Sequence, residues 1–98
     1  MNEPKQWHET IKHYDVDGTE YTLIAQIDLK DSGRYGVGYY FQWDDQQSLF
    51  QPVLSIGGAT LDEAITNARN LIATSPQDED YLLGELIGVQ MWDNDLDC

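Results

Sequence analysis

At 98 residues the chain has room for one small domain, expected to span residues 1–98. Five Lys and Arg against 18 Asp and Glu give a formal charge of −13, which excludes a protein that grips a phosphate backbone or an anionic lipid surface through clustered cations. Hydrophobic content of 41% is too rich for a disordered chain despite that charge.

In chain order, residues 7–14 (Trp-His-Glu-Thr-Ile-Lys-His-Tyr) mix polarity with aromatic content and predict an edge strand. Asp17-Gly18 is a turn dipeptide, since Gly tolerates positive φ and Asp hydrogen-bonds its own backbone. Tyr21, Leu23, Ala25, Ile27 and Leu29 then alternate with Thr22, Gln26 and Asp28, with Ile24 the exception. Period two with one apolar side predicts a half-buried strand. After the turn Asp31-Ser32-Gly33, Tyr35, Val37, Tyr39, Phe41 and Trp43 share one strand face, and Arg34, Gly36, Gly38, Tyr40 and Gln42 share the other. Glycine inside a strand marks a bulge, a bend or the close approach of another group, and curvature of a twisted hairpin is the preferred reading. Residues 44–48 read as a polar connector, and residues 50–56 as a further strand with Pro52 near its start.

Gly57-Gly58 is expected to break that strand before a helix over 60–74. Thr60 is a natural N-cap with Glu63 three residues on, and Asp62 and Glu63 suit the positive end of the helix dipole. Leu61, Ala64, Ile65, Ala68, Leu71 and Ile72 fall on one helical face, and Pro76 stops the helix. Leu82, Leu83, Leu86 and Ile87 predict a short second helix with Asp78, Glu79 and Asp80 in its first turn. Val89, Met91 and Trp92 follow as an extended tail or a short strand. No Lys or Arg follows Arg69, so 77–98 is an acidic C-terminal segment. The expected fold class is α+β: a two-layer sandwich in which an antiparallel sheet of three or four strands packs on one main helix.

No chemical constellation emerges. His8 and His13 stand five apart, on opposite faces of a regular strand, and so make no metal pair. Asp15-Val16-Asp17-Gly18 opens like a calcium loop, but Gln26 stands at the closing position. The acids around Asp93, Asp95 and Asp97 form a terminal cluster without preorganisation. Asp44-Asp45 is a solvated pair, no Ser sits in a nucleophile elbow, and no Lys completes a phosphate loop around the glycines. The expectation is a non-catalytic chain with no metal and no cofactor. The lone Cys98 cannot make an internal disulfide, no apolar run approaches the ~20 residues of a membrane span, and the first residues lack the order of a signal peptide. These point to the cytoplasm.

The strand 21–28, the turn Asp31-Ser32-Gly33, the strand 35–41 and the helix start Gly58-Ala59-Thr60-Leu61-Asp62-Glu63-Ala64 together resemble the HicB antitoxin family over residues 20–73. The resemblance implies a degraded RNase-H-like core and a small basic toxin ribonuclease as partner. Many members add a C-terminal DNA-binding segment. Here that part is acidic, without a helix-turn-helix or ribbon signature, and a polar connector replaces the usual Pro-rich link. The functional expectation is an inhibitor that neutralises a basic nucleic-acid-handling protein, by nucleic-acid mimicry or as an antitoxin, and binds neither nucleic acid nor membrane itself. Its expected contacts are the acids Asp44, Asp45, Asp78, Glu79 and Asp80 and the aromatic anchors Tyr40, Trp43 and Trp92. The alternative is an assembly module that dimerises through the 7–14 edge or the Gly36–Gly38 face. A small enzyme with an unrecognised pocket is a third class.

Overall fold

Alternating apolar residues become an antiparallel sheet built on β1 (Gln6–Val16), β2 (Thr19–Leu29) and β3 (Tyr35–Trp43). The computed structural model describes residues 5–16 and 18–84. β1 is an edge strand, as its composition predicts, and among the described residues pairs with β2 alone. The far edge of β3 is shared by β4 (Gln46–Gln47) near Trp43 and β5 (Gln51–Gly58) along the rest. Among the described residues two helices follow, α1 (Leu61–Thr74) and α2 (Pro76–Leu82). The molecule is therefore α+β, and among the described residues no helix is long and apolar enough to cross a membrane.

Register decides the core. Leu23 faces Phe41, Ala25 faces Tyr39 and Ile27 faces Val37, so the odd residues of both strands share one sheet face. They bury against Leu61, Ala64, Ala68 and Ile72 of α1 and Leu82 of α2. The two alanines leave room for Tyr39, whose hydroxyl donates to the Ala68 carbonyl at 2.7 Å. The turns before β2 and β3 contain Gly18 (φ +84°) and Gly33 (φ +88°), where a side chain would be strained.

α1 starts where its capping residues place it. The Thr60 Oγ1 accepts the Glu63 amide at 3.1 Å, and the Glu63 carboxylate reaches back to the Ala59 amide at 3.2 Å. This reaches one residue past the N-cap amide that the reciprocal bond of a strict capping box would take. Pro76 opens α2, since a missing N–H costs nothing in a first turn.

Three expectations are corrected. A bulge between Thr10 and Lys12 shifts the β1 register, so His8 opposes Gln26 and His13 opposes Thr22, and both histidines lie on the sheet face away from α1. The connector after β3 is folded: Trp43 pairs with Gln46 and Gln42 with Gln47 across a two-residue turn, with Asp44 at φ 50°. Gly57 and Gly58 do not break β5 but close it, pairing with Gly36 and Tyr35. The second half of the expected second helix, with Leu86 and Ile87, and the tail beyond it lie outside the described residues.

Candidate functional site

Antiparallel order puts the β1–β2 turn and the β3–β4 turn at the same end of the sheet, because β2 begins where its neighbour β3 ends. Four carboxylates among the described residues gather there. Asp15 stands directly opposite Glu20 across β1 and β2, and Asp44 and Asp45 form the tip of the next hairpin. All four are exposed, and none has an ion-pair partner among the described residues. Like charges directly opposite across a strand pair are destabilising. Asp15 and Glu20 were missed in the sequence reading. The signal was present: a two-residue turn after Val16 forces the pairs 16–19 and 15–20.

The cations lie elsewhere. Lys12 and Arg69 are neutralised within the molecule by Glu79 and Glu9. Lys30 and Arg34 bracket the β2–β3 turn, and Lys5 accepts the Leu29 amide through its carbonyl, so these three cations occupy the opposite end of the sheet. They make no ion pair among the described residues. The molecule is thus electrically polar along its strands, although Asp28 and Asp31 moderate the cationic end.

The expected contact residues do not form one cluster. Asp44 and Asp45 belong to the acidic end. Asp78, Glu79 and Asp80 sit on α2, over the helix-covered face. Glu79 is turned inward: its carboxylate accepts from Lys12 Nζ at 2.7 Å and from the Tyr14 hydroxyl at 2.5 Å. Those bonds hold its pKa below the ordinary glutamate value, the Lys12 bond foremost. Burial, reinforced by the same carboxylate, pushes the Tyr14 phenol far above its usual range. Asp78 accepts the Ser75 hydroxyl at 2.5 Å and remains exposed, as does Asp80.

Two of the aromatic residues expected as anchors are packed into the sheet. Trp43 is 6% exposed and tilts against Tyr21 at a centroid separation of 5.0 Å, so it belongs to the core. Tyr40 is 8% exposed on the opposite sheet face, where its hydroxyl meets His8 Nδ1 at 3.0 Å. Burial raises its pKa. Both rings are largely covered by their neighbours. Trp92 lies outside the described residues. His8 and His13, though on one face, bond to Tyr40 and Thr22, and among the described residues no group of three or more metal-ligating side chains forms. Comparison with family models, curated proteins and solved structures finds no match to this chain.

Proposed function

We propose that this chain is a non-catalytic acidic inhibitor that binds and neutralises a basic nucleic-acid-handling protein. On this reading it is a phage counter-defence factor directed at CRISPR or restriction enzymes, or an antitoxin, acting in the cytoplasm on a two-layer sandwich scaffold. One observation carries the reading: Asp15, Glu20, Asp44 and Asp45 project from two adjacent hairpin ends with no ion-pair partner among the described residues, while Lys5, Lys30 and Arg34 occupy the far end. Asp15 opposite Glu20 costs the fold roughly 0.2–1 kcal/mol. Carboxylates on stiff hairpins suit Arg and Lys sites built for phosphate, and a separated charge orients the approach. The HicB resemblance over residues 20–73 supports the antitoxin version.

The test is affinity for a small basic ribonuclease at low and high ionic strength. The expected result is tight binding that weakens as salt rises. A variant carrying Asp15→Asn, Glu20→Gln, Asp44→Asn and Asp45→Asn should lose at least about tenfold in affinity while gaining roughly 0.2–1 kcal/mol of stability from the relieved strand pair. Affinity indifferent to both salt and amidation overturns the reading.

Self-association is the second reading. It is favoured by Leu49 (83% exposed), Phe50 (43%) and Leu54 (96%), which line the open edge at β5. Sizing by light scattering over a range of protein concentrations decides it: a dimer that dissociates in Leu54→Ser supports this class, and a monomer throughout removes it.

A further inference from the structure

The cationic end holds a cleft of about 680 Å³ between β3 and an irregular stretch of β5. Its origin is a break in register. Val37 pairs with Val53 while the adjacent Gly36 pairs with Gly57, so residues 54–56 have no counterpart on β3 and stand off from the sheet. The volume falls within the range of small-molecule pockets, ~300–1,000 Å³.

Two glycines furnish this cleft. A methyl group on Gly36 would lie 2.6 Å from Lys30 Cε, so the Lys30 chain lies flat on the strand because that position has no side chain. A methyl group on Gly38 would fall inside the Phe50 ring, so the ring sits in the gap that glycine leaves. Lys30 and Phe50 both line the cleft, with Arg34, Leu54 and Ile56 beside them. The glycines are sockets, one for an ammonium group's stem and one for an aromatic ring.

The lining carries two cations, Lys30 and Arg34, and two acids, Asp28 and Glu63, so it is formally neutral, but its cations and acids are not paired with each other among the described residues. Its two acids already have donors: Asp28 takes the Gln6 amide at 2.8 Å and the Gln26 amide at 3.1 Å, and Glu63 takes the Ala59 backbone amide. Lys30 and Arg34 make no ion pair among the described residues, in a chain with 18 acids for 5 cations. Beside them lies apolar surface still open to water, Phe50 43% exposed and Leu54 96%.

We infer that this cleft binds a small organic anion with an apolar body. Its carboxylate or phosphate head lies between Lys30 and Arg34, and its body lies on Phe50, Leu54 and Ile56. The Arg34 fork matches either head group in two-point geometry, and Lys30 adds a point charge. The site lies at the opposite end of the sheet from the acidic hairpins, so it stands or falls independently of the inhibitor reading.

The experiment is an NMR titration of the full chain with naphthoate and with naphthyl phosphate, following the amides of Gly36, Val37 and Gly57 and the Arg34 Nε–H. Acetate and naphthalenemethanol serve as head-only and body-only controls. Saturable shifts centred on those groups are expected for at least one anionic naphthalene, with each control at least about tenfold weaker. Lys30→Gln with Arg34→Gln should weaken binding by at least about tenfold, and Leu54→Ser, at a position outside the core, should weaken it less. An unchanged amide spectrum elsewhere shows that the variants fold. No saturable shifts, shifts spread over the acidic hairpins, or undiminished affinity in the double variant would each overturn the assignment.

Discussion

Tyr39 is fully buried, yet its hydroxyl is satisfied by the Ala68 carbonyl at 2.7 Å. That carbonyl belongs to the middle of α1, so the phenol uses an oxygen lone pair that the helix leaves free. Burial, reinforced by the nearby Asp78 charge, drives the phenol's pKa far above its usual range, so the side chain stays protonated and donating. Tyr39→Phe removes the bond without stranding a buried polar group. The expected loss is about 1 kcal/mol, read from the urea midpoint, and an unchanged midpoint would show that the bond contributes nothing. Gly38 presents the reverse case, where absence of a side chain is the feature. Gly38→Ala forces the Phe50 ring off the strand, and because Phe50 is already 43% exposed the cost is modest, about 1 kcal/mol. A cycle with Phe50→Ala checks the cause: the double variant should cost clearly less than the two single losses added. In the sequence this glycine reads as curvature. Nothing local tells a bend from a socket, because the ring that fills the socket arrives from another segment.

Among elements, α2 is held by the buried Leu82 and by one carboxylate. Glu79 ties it to β1 through Lys12 and Tyr14, and both bonds hold its folded-state pKa below the ordinary value of 4.5. A depressed carboxylate pKa contributes stability that is present above the unfolded-state value and is lost as pH falls through the lower folded value. Glu79→Gln should therefore cost about 1 kcal/mol near pH 7, and the gap from the parent should close as pH drops below about 4. Urea titrations of both proteins across that range measure it, and a gap independent of pH would show that the charge plays no part. The elements themselves were largely legible, since alternation marks β2 and β3 and Thr60 with Glu63 marks the start of α1. The bulge in β1 was not, because an extra residue is visible only against a partner strand, and it carries His13 to the same face as His8. The Gln46–Gln47 strand was hidden for a related reason: its residues are polar and exposed, and only pairing with Trp43 and Gln42 makes them a strand. For the candidate site, Asp44 and Asp45 were found from composition. Their companions Asp15 and Glu20 needed strand order, and the inward turn of Glu79 needed the packing of α2 on β1.

For the molecule as a whole, charge sets how cohesion responds to salt. Eighteen acids oppose five cations, and ion pairs among the described residues engage only Lys12 with Glu79 and Arg69 with Glu9. Both pairs are partly open to solvent, the cations about half exposed, and such pairs contribute roughly 0–1 kcal/mol each. Two carboxylates about 10 Å apart in water repel by roughly 0.4 kcal/mol, and many such pairs exist at this net charge. The Debye length is about 10 Å at 0.1 M salt and about 3 Å at 1 M, so added salt removes most of the repulsion while costing little attraction. Sodium chloride should therefore stabilise the fold, by on the order of 1 kcal/mol between low ionic strength and about 1 M. It is the right salt to use, because sulfate strengthens apolar burial by itself and would give the same sign for another reason. Urea rather than guanidinium must be the denaturant, since guanidinium is also an electrolyte. Glu20→Gln sharpens the experiment: it should be more stable than the parent at low salt, and that advantage should fade as salt rises. A urea midpoint that falls with sodium chloride would mean that the two ion pairs outweigh the repulsion, and that the acidic hairpins are held at no cost to the fold.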